Sequence, residues 1–214
     1  MDDILLQIKD AVITRKKNEI EGLVKTAIEG GTDPNSIIED SLIAAMDVVG
    51  QKFASSEIFV PEMLVSALTM KLGLEVVKPH LKTGEGRSRG TIIMGTVHGD
   101  LHDIGKNIVI MMLEGAGFKV VDMGVDLTVE KLIEQLEAIQ PDVLGLSALL
   151  TTTMPEMERT IHVLSEKGLR EKVKIMVGGA PVDQSFADRI GADGYGADAT
   201  EAVQLARQLI ARAR

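Results

Sequence analysis

From residue 91 onward, short β-rich runs alternate with segments of helical spacing, and few folds accept that alternation. The runs fall at 91–95, 119–122, 143–147, 174–177 and 194–195, and helical patterns follow them at about 105–116, 129–139, 154–167, 185–190 and 200–212. Consecutive βα units joined by right-handed crossovers make a parallel sheet. Five strands predict the order 2-1-3-4-5. Ligands of such sheets bind beyond the carboxyl ends of the strands, at a switch point flanked here by the loops after strands 1 and 3.

The first 80 or so residues follow a different grammar. Ile4, Leu5, Ile8, Val12 and Ile13 recur at helical spacing, as do Ile20, Leu23, Val24, Ala27 and Ile28, which Gly30 and Gly31 stop. Asp33 and Pro34 read as an N-cap and first helical residue, ahead of Ile37, Ile38, Leu42, Ala45, Met46 and Val49. Pro61 opens a fourth helix with Leu64, Val65, Leu68, Leu72 and Val76 expected on one face. No strand signal competes, so a small antiparallel bundle is expected over 1–82. The polar, glycine-rich stretch 83–90 reads as a linker to an α/β domain over 91–214.

Composition narrows the chemistry. The 214 residues carry 32 acidic against 23 basic side chains, a formal net charge of −9, which disfavours nucleic acid and anionic membranes as partners. Aromatics are 2% of the chain, too few for base-stacking platforms. The absence of cysteine removes disulfides, thiolate metal sites, protein-ligated iron–sulfur clusters and cysteine nucleophiles. With no basic, apolar leader and no apolar run long enough to span a bilayer, the expectation is a soluble, cytoplasmic protein.

Three loops converge on the expected ligand edge. The first runs Gly95-Thr96-Val97-His98-Gly99-Asp100-Leu101-His102-Asp103-Ile104-Gly105-Lys106-Asn107 and holds four side chains able to bind a metal: His98, Asp100, His102 and Asp103. The second, Ser147-Ala148-Leu149-Leu150-Thr151-Thr152-Thr153, offers hydroxyls. The third, Gly178-Gly179-Ala180-Pro181, permits close approach of backbone to a ligand.

Asp100-x-His102-x-x-Gly105, Ser147-x-Leu149 and Gly178-Gly179 together resemble the signature of cobalamin-binding domains. The run from Gly99 to Val109 resembles the methyl-carrying branch, that of methionine synthase and the methyltransferase corrinoid proteins. Phe59-Val60-Pro61-Glu62 and Ser66-Ala67 resemble its helical cap. The resemblance implies a four-helix cap followed by a flavodoxin-like (2-1-3-4-5), parallel-sheet cobalamin-binding domain, with cobalamin or a related corrinoid as cofactor. It makes His102 the lower axial ligand of cobalt, held by Asp100, with a relay completed by the hydroxyl of Thr153, where methionine synthase has serine. Leu101, Asp103, Ile104, Gly105 and Leu149 would line the cofactor. Ser147 and Thr151 would bind its displaced benzimidazole tail, Gly178 and Gly179 would let the nucleotide pass, and Phe59 and Met63 would meet its upper face.

The implied function is a methyl shuttle. Co(I) takes a methyl group from a donor on a substrate-specific methyltransferase, and methyl-Co(III) yields it to a folate or thiol acceptor on a second methyltransferase. A reductive activator protein would restore oxidised cobalt. Domains for homocysteine, folate and reactivation do not fit in the assigned residues, so a subunit rather than a self-sufficient enzyme is expected. On the residues alone, alternatives stand. His98-x-Asp100-x-His102-Asp103 also resembles a hydrolytic zinc or di-metal cluster. A cobalamin-dependent sensor and an adenosylcobalamin mutase subunit share parts of the pattern. Phe59, Met63 and Met70 are equally explained as core, and Gly178-Gly179 as a plain turn. His80 and His162 read as solvated.

Overall fold

The computed structural model describes residues 3–81 and 88–213. Its backbone contacts divide the chain into two compact units, Met1–Ser88 with Gly115–Gly117, and Arg89–Glu114 with Phe118–Arg214. Of the expected linker, residues 83–87 lie outside the described residues.

The first unit is helical: α1 (Asp3–Ile13), α2 (Ile20–Glu29), α3 (Pro34–Ser36) running through a π-helical segment (Ile37–Ile43) into α4 (Ala44–Ala54), and α5 (Val60–Val77). Asp33 caps α3 by accepting the Ser36 N–H at 3.2 Å, with Pro34 in the first turn. Glu62 reaches back to the Phe59 N–H at 2.8 Å and closes the start of α5. The π segment replaces what the spacing predicts as ordinary helix. It brings Ile37 and Leu42, five residues apart, both into the interior, and the buried Ser41 hydroxyl donates to the Ile37 carbonyl.

The buried face of α5 also differs from the expected one. Met63, Ser66, Thr69, Met70, Gly73 and Val77 are buried, whereas Val65 and Leu68 are 39% and 43% exposed. This helix is apolar all round, so hydrophobic spacing cannot choose its inner face. Small residues choose it instead. A Cβ at Gly73 would lie 3.0 Å from Leu42 and 3.1 Å from Ile20, so the glycine sets how closely α5 approaches its neighbours.

The second unit is a parallel sheet of β1 (Thr91–Thr96), β2 (Lys119–Asp122), β3 (Val143–Ser147), β4 (Lys174–Gly178) and β5 (Gly194–Gly196) in the order β2-β1-β3-β4-β5. The intervening helices are α6 (Ile104–Gly115), α7 (Val129–Ile139), α8 (Pro155–Glu166), α9 (Gln184–Ile190) and α10 (Ala199–Ala213). The fold class expected from the sequence is the one observed. On one face Ile93, Leu144, Leu146, Ile175 and Val177 pack with Leu132 and Leu136 of α7, Met157, Ile161 and Leu164 of α8 and Phe186 of α9. The next residues along the strands, Ile92, Val143 and Met176, are also buried, as a sheet covered on both faces requires. Register matters most for the site. Thr96, Ser147, Gly178 and Gly196 pair in a row across four neighbouring strands, so the loops that follow leave the sheet at one level. Among the described residues no helix is long and apolar enough to cross a membrane.

Two helical glycines of the first unit should respond in opposite ways. Gly73→Val should destabilise by about 1–3 kcal/mol through overpacking. Gly22→Ala, where nothing lies within 4 Å of an added Cβ, should stabilise by about 0.5–1 kcal/mol. Urea unfolding followed by circular dichroism measures both.

Candidate functional site

Asp100 organises the ligand edge of the sheet. Its side chain is fully buried, and five donors converge on it. Oδ1 accepts the His102 N–H at 3.0 Å and lies 2.7 Å from His102 Nδ1. Oδ2 accepts the Leu149 N–H at 2.8 Å, the Leu150 N–H at 3.3 Å and the Thr153 hydroxyl at 2.7 Å. Burial opposes ionisation here. The Leu149 N–H, the Thr153 hydroxyl and the two His102 donors outweigh it and hold the carboxyl well below the usual carboxylate range.

An ionised carboxylate only accepts, so His102 Nδ1 carries a proton toward Oδ1, and Nε2 is the nitrogen outside that bond. Half of the His102 side-chain surface is exposed. This is an imidazole fixed through one nitrogen, an arrangement in which the other nitrogen would suit a metal. Thr96, fully buried, donates its hydroxyl to the His102 carbonyl at 3.0 Å and fixes the residue from behind. Sequence reading did not single out this threonine; only its place at the end of β1 signals it.

Other expected residues take varied places. Leu101 and Ile104 are 71% and 78% exposed on either side of the histidine, and Leu149 and Leu150 are exposed across from them. Asp103 is exposed and accepts the Asn107 amide at 3.1 Å. Gly105 is exposed in the first turn of α6, and no protein atom lies within 4 Å of a Cβ placed there. Ser147 ends β3 half-buried, and Thr151 is exposed. Gly178 and Gly179 are demanded by the protein's own backbone. A Cβ at 178 would lie 2.9 Å from the Gly196 carbonyl oxygen. Gly179, at φ 128°, would drive one to 1.9 Å from that of Ala148. In the first unit, Phe59 is 64% exposed and Met63 is fully buried.

The four metal-capable side chains of the first loop do not gather. His98 Nδ1 pairs with Asp126 Oδ1 at 2.6 Å, whereas His102 pairs with Asp100. Among the described residues no cluster of three or more His, Asp or Glu side chains is poised to share one ion. The Gly99 N–H, with His98 beside it, holds the Asp126 carboxyl below its ordinary value. Lys106, also unassigned by sequence, is buried against Asp122 Oδ1 at 2.6 Å and Asn107 Oδ1 at 2.9 Å, tying the start of α6 to the end of β2.

The chain has relatives among known proteins. Residues 90–204 match a family described as B12 binding domain, and residues 4–78 match a second family of the same description. Dimethylamine corrinoid protein 1 of Methanosarcina acetivorans is 44% identical over 98% of this chain and 99% of its own length. Trimethylamine corrinoid protein 1 of the same organism is 40% identical over 98% of each. The crystal structure of the methanol:cobalamin methyltransferase complex from Methanosarcina barkeri contains a chain that superposes with a TM-score of 0.87. It is 33% identical, over 98% of this chain and 80% of that one. The residues present fit a corrinoid. A held imidazole would offer a nitrogen to cobalt, exposed apolar side chains neighbour it in the loop, and Gly105 is exposed with open space about it.

Five donors around one carboxylate make Asp100→Asn a destabilising change. An amide NH2 would replace one acceptor and face donors, which costs about 1–3 kcal/mol. The sign with pH follows from the lowered value. The carboxylate contributes fully above the unfolded value, about 3.9, and its contribution is lost as pH falls through the lower folded value. The stability gap between wild type and Asp100→Asn should therefore stay level from neutral pH to about pH 4 and shrink below it. Urea unfolding of both apo proteins along a pH series tests this.

Proposed function

The chain belongs to the B12-binding corrinoid proteins, and we propose that it is the methyl-carrying subunit of a methylamine methyltransferase system. The observation that carries the reading is the His102 imidazole, fixed at Nδ1 by Asp100 and open at Nε2 between exposed Leu101 and Ile104. The end-to-end similarity to proteins named for dimethylamine and trimethylamine supports the choice of donor.

A bound corrinoid supplies a cobalt that accepts a methyl group from one partner and releases it to another. His102 would offer Nε2 to that metal. The anionic Asp100 holds the ring by its Nδ1 and so fixes which nitrogen faces away from the protein. Asp100 stays ionised, and Thr153 keeps its hydroxyl turned toward Oδ2. Ser147 and Thr151 would donate to the cofactor's tail beside Gly178 and Gly179. Leu101, Ile104, Gly105 and Leu149 would lie along the ring, with Asp103 at its rim. Phe59, exposed, is the cap residue proposed to touch the upper face. Met63 is buried, and its proposed contact requires a change of packing. The partners proposed are a substrate-specific methyltransferase, a methylcorrinoid:folate or thiol methyltransferase, and a reductive activator, since this chain has no cysteine with which to hold a cluster.

The test is methyl transfer from monomethylamine, dimethylamine, trimethylamine or methanol, each with its own methyltransferase, to the cobalamin-loaded protein. Loading by at least one methylamine enzyme is expected; loading only by the methanol enzyme, or by none, refutes the proposal. In His102→Ala the cofactor should stay bound through tail and ring contacts while histidine coupling to Co(II) disappears from the electron paramagnetic resonance spectrum. Undiminished coupling would remove His102 from the metal.

A further inference from the structure

Three consecutive residues of the loop after β1 are held by one residue of the loop after β2. Asp126 Oδ1 lies 2.6 Å from His98 Nδ1 and accepts the Gly99 N–H at 2.8 Å. The Asp126 N–H donates to the Asp100 carbonyl at 3.0 Å. Beyond this clasp the Leu127 N–H donates to the Thr96 carbonyl, and the Thr96 N–H to the Gly124 carbonyl, both at 3.0 Å. These bonds extend the β1–β2 pairing past its last strand partners, Met94 and Asp122.

The clasp sits where the loop most needs one. Gly99 has a φ of 77°, in the region where glycine is freest and restrains its neighbours least. Asp126 itself sits at φ 52°, a conformation that Asp and Asn reach more readily than other side chains. Gly99 joins His98 to Asp100, and Asp100 must aim both carboxylate oxygens at their donors. Hydrogen bonds weaken steeply as their angles open, so a swivel at Gly99 would be felt at the His102 ring.

We infer that Asp126 is a positioning residue for His102, acting by clamping segment 98–100 so that the Asp100 carboxylate meets the imidazole. The inference rests on the proposed role of His102 as cobalt ligand. Asp126 touches neither the ring nor its open nitrogen, and its effect passes wholly through Asp100. His98 contributes the outer arm of the clasp, and Gly99 the inner one.

The experiment uses the full chain labelled with 15N-histidine, loaded with hydroxocobalamin and reduced to Co(II). The label separates the protein's imidazole from the cofactor's own base in the electron paramagnetic resonance spectrum. Asp126→Gly keeps the left-handed backbone and removes the carboxylate; Asp126→Asn keeps an acceptor oxygen and the backbone preference. The ratio of histidine-ligated to unligated cobalt should fall about tenfold in Asp126→Gly, the lower end of what disturbing a residue behind a metal ligand costs. Asp126→Asn should recover most of it. A second measurement needs no cofactor: in the apo protein, solvent exchange of the His102 Nδ1 proton should accelerate in Asp126→Gly and return toward wild type in Asp126→Asn. A ligation ratio and exchange rate equal to wild type in Asp126→Gly would overturn the inference. If the wild-type protein itself lacks labelled coupling, the ligand reading of His102 fails, and the apo exchange rates alone decide the part assigned to Asp126.

Discussion

A carboxylate sealed from water needs every acceptor site filled, and the Asp100 side chain meets that demand by gathering two loops around itself. Removing an ion from solvent is costly unless hydrogen bonds replace its hydration. Here the replacements come from the histidine two residues on and from the first turn after β3, about fifty residues away in sequence. The orientation of the His102 ring is thus a consequence of satisfying a buried charge. The same interaction fixes the tautomer, since a carboxylate that accepts five donors has no proton to give. Loop geometry, ring orientation and the identity of the free nitrogen all follow from one buried anion.

Carboxylates play a related part at both ends of the sheet. At the amino ends of the strands, Asp142 accepts the Thr91 N–H and Asp193 the Ile175 N–H, each at 2.8 Å, and Arg170 and Lys174 complete the second site. These satisfy backbone donors that the parallel ladder leaves open. At the carboxyl ends, Asp100, Asp122 and Asp126 do the same for loop N–H groups. Asp126 also meets an exposed imidazole, that of His98; what separates Asp100 is that its own side chain is fully buried. A device that elsewhere only closes the sheet here also orients the imidazole proposed to hold cobalt.

The parts of this arrangement readable from sequence are those written in short spacing. The βα alternation identifies the sheet, and Asp100-x-His102 places carboxylate and ring within reach of each other. Thr153 was legible only through the family pattern, because its bond to Asp100 crosses 53 residues. Asp126, Thr96 and the Lys106–Asp122 pair were missed for a related reason: no local periodicity marks a residue whose partner lies in another loop. The inner face of α5 was misread because hydrophobic counting ignores Ser66, Thr69 and Gly73, the small residues that allow close packing. Gly178 and Gly179 were read for a ligand, yet the backbones of Gly196 and Ala148 already require them.

The Thr153 hydroxyl illustrates how the loop assigns a single proton. Two acceptors lie in range, Asp100 Oδ2 at 2.7 Å and the Leu150 carbonyl at 2.9 Å, and the hydroxyl has one hydrogen to give. The Leu150 carbonyl already accepts the N–H groups of Thr153 and Met154 at 3.0 and 3.2 Å. Its need is met by the turn, and the charge-assisted bond to Asp100 is the stronger of the two. The hydroxyl therefore points at the carboxylate, and the β-branched side chain has few other rotamers to visit. Thr153 is 7% exposed, whereas the imidazole on the other side of Asp100 is half open to solvent. Thr153 thus supports the carboxylate from its buried side, and the carboxylate in turn holds the ring at its open side.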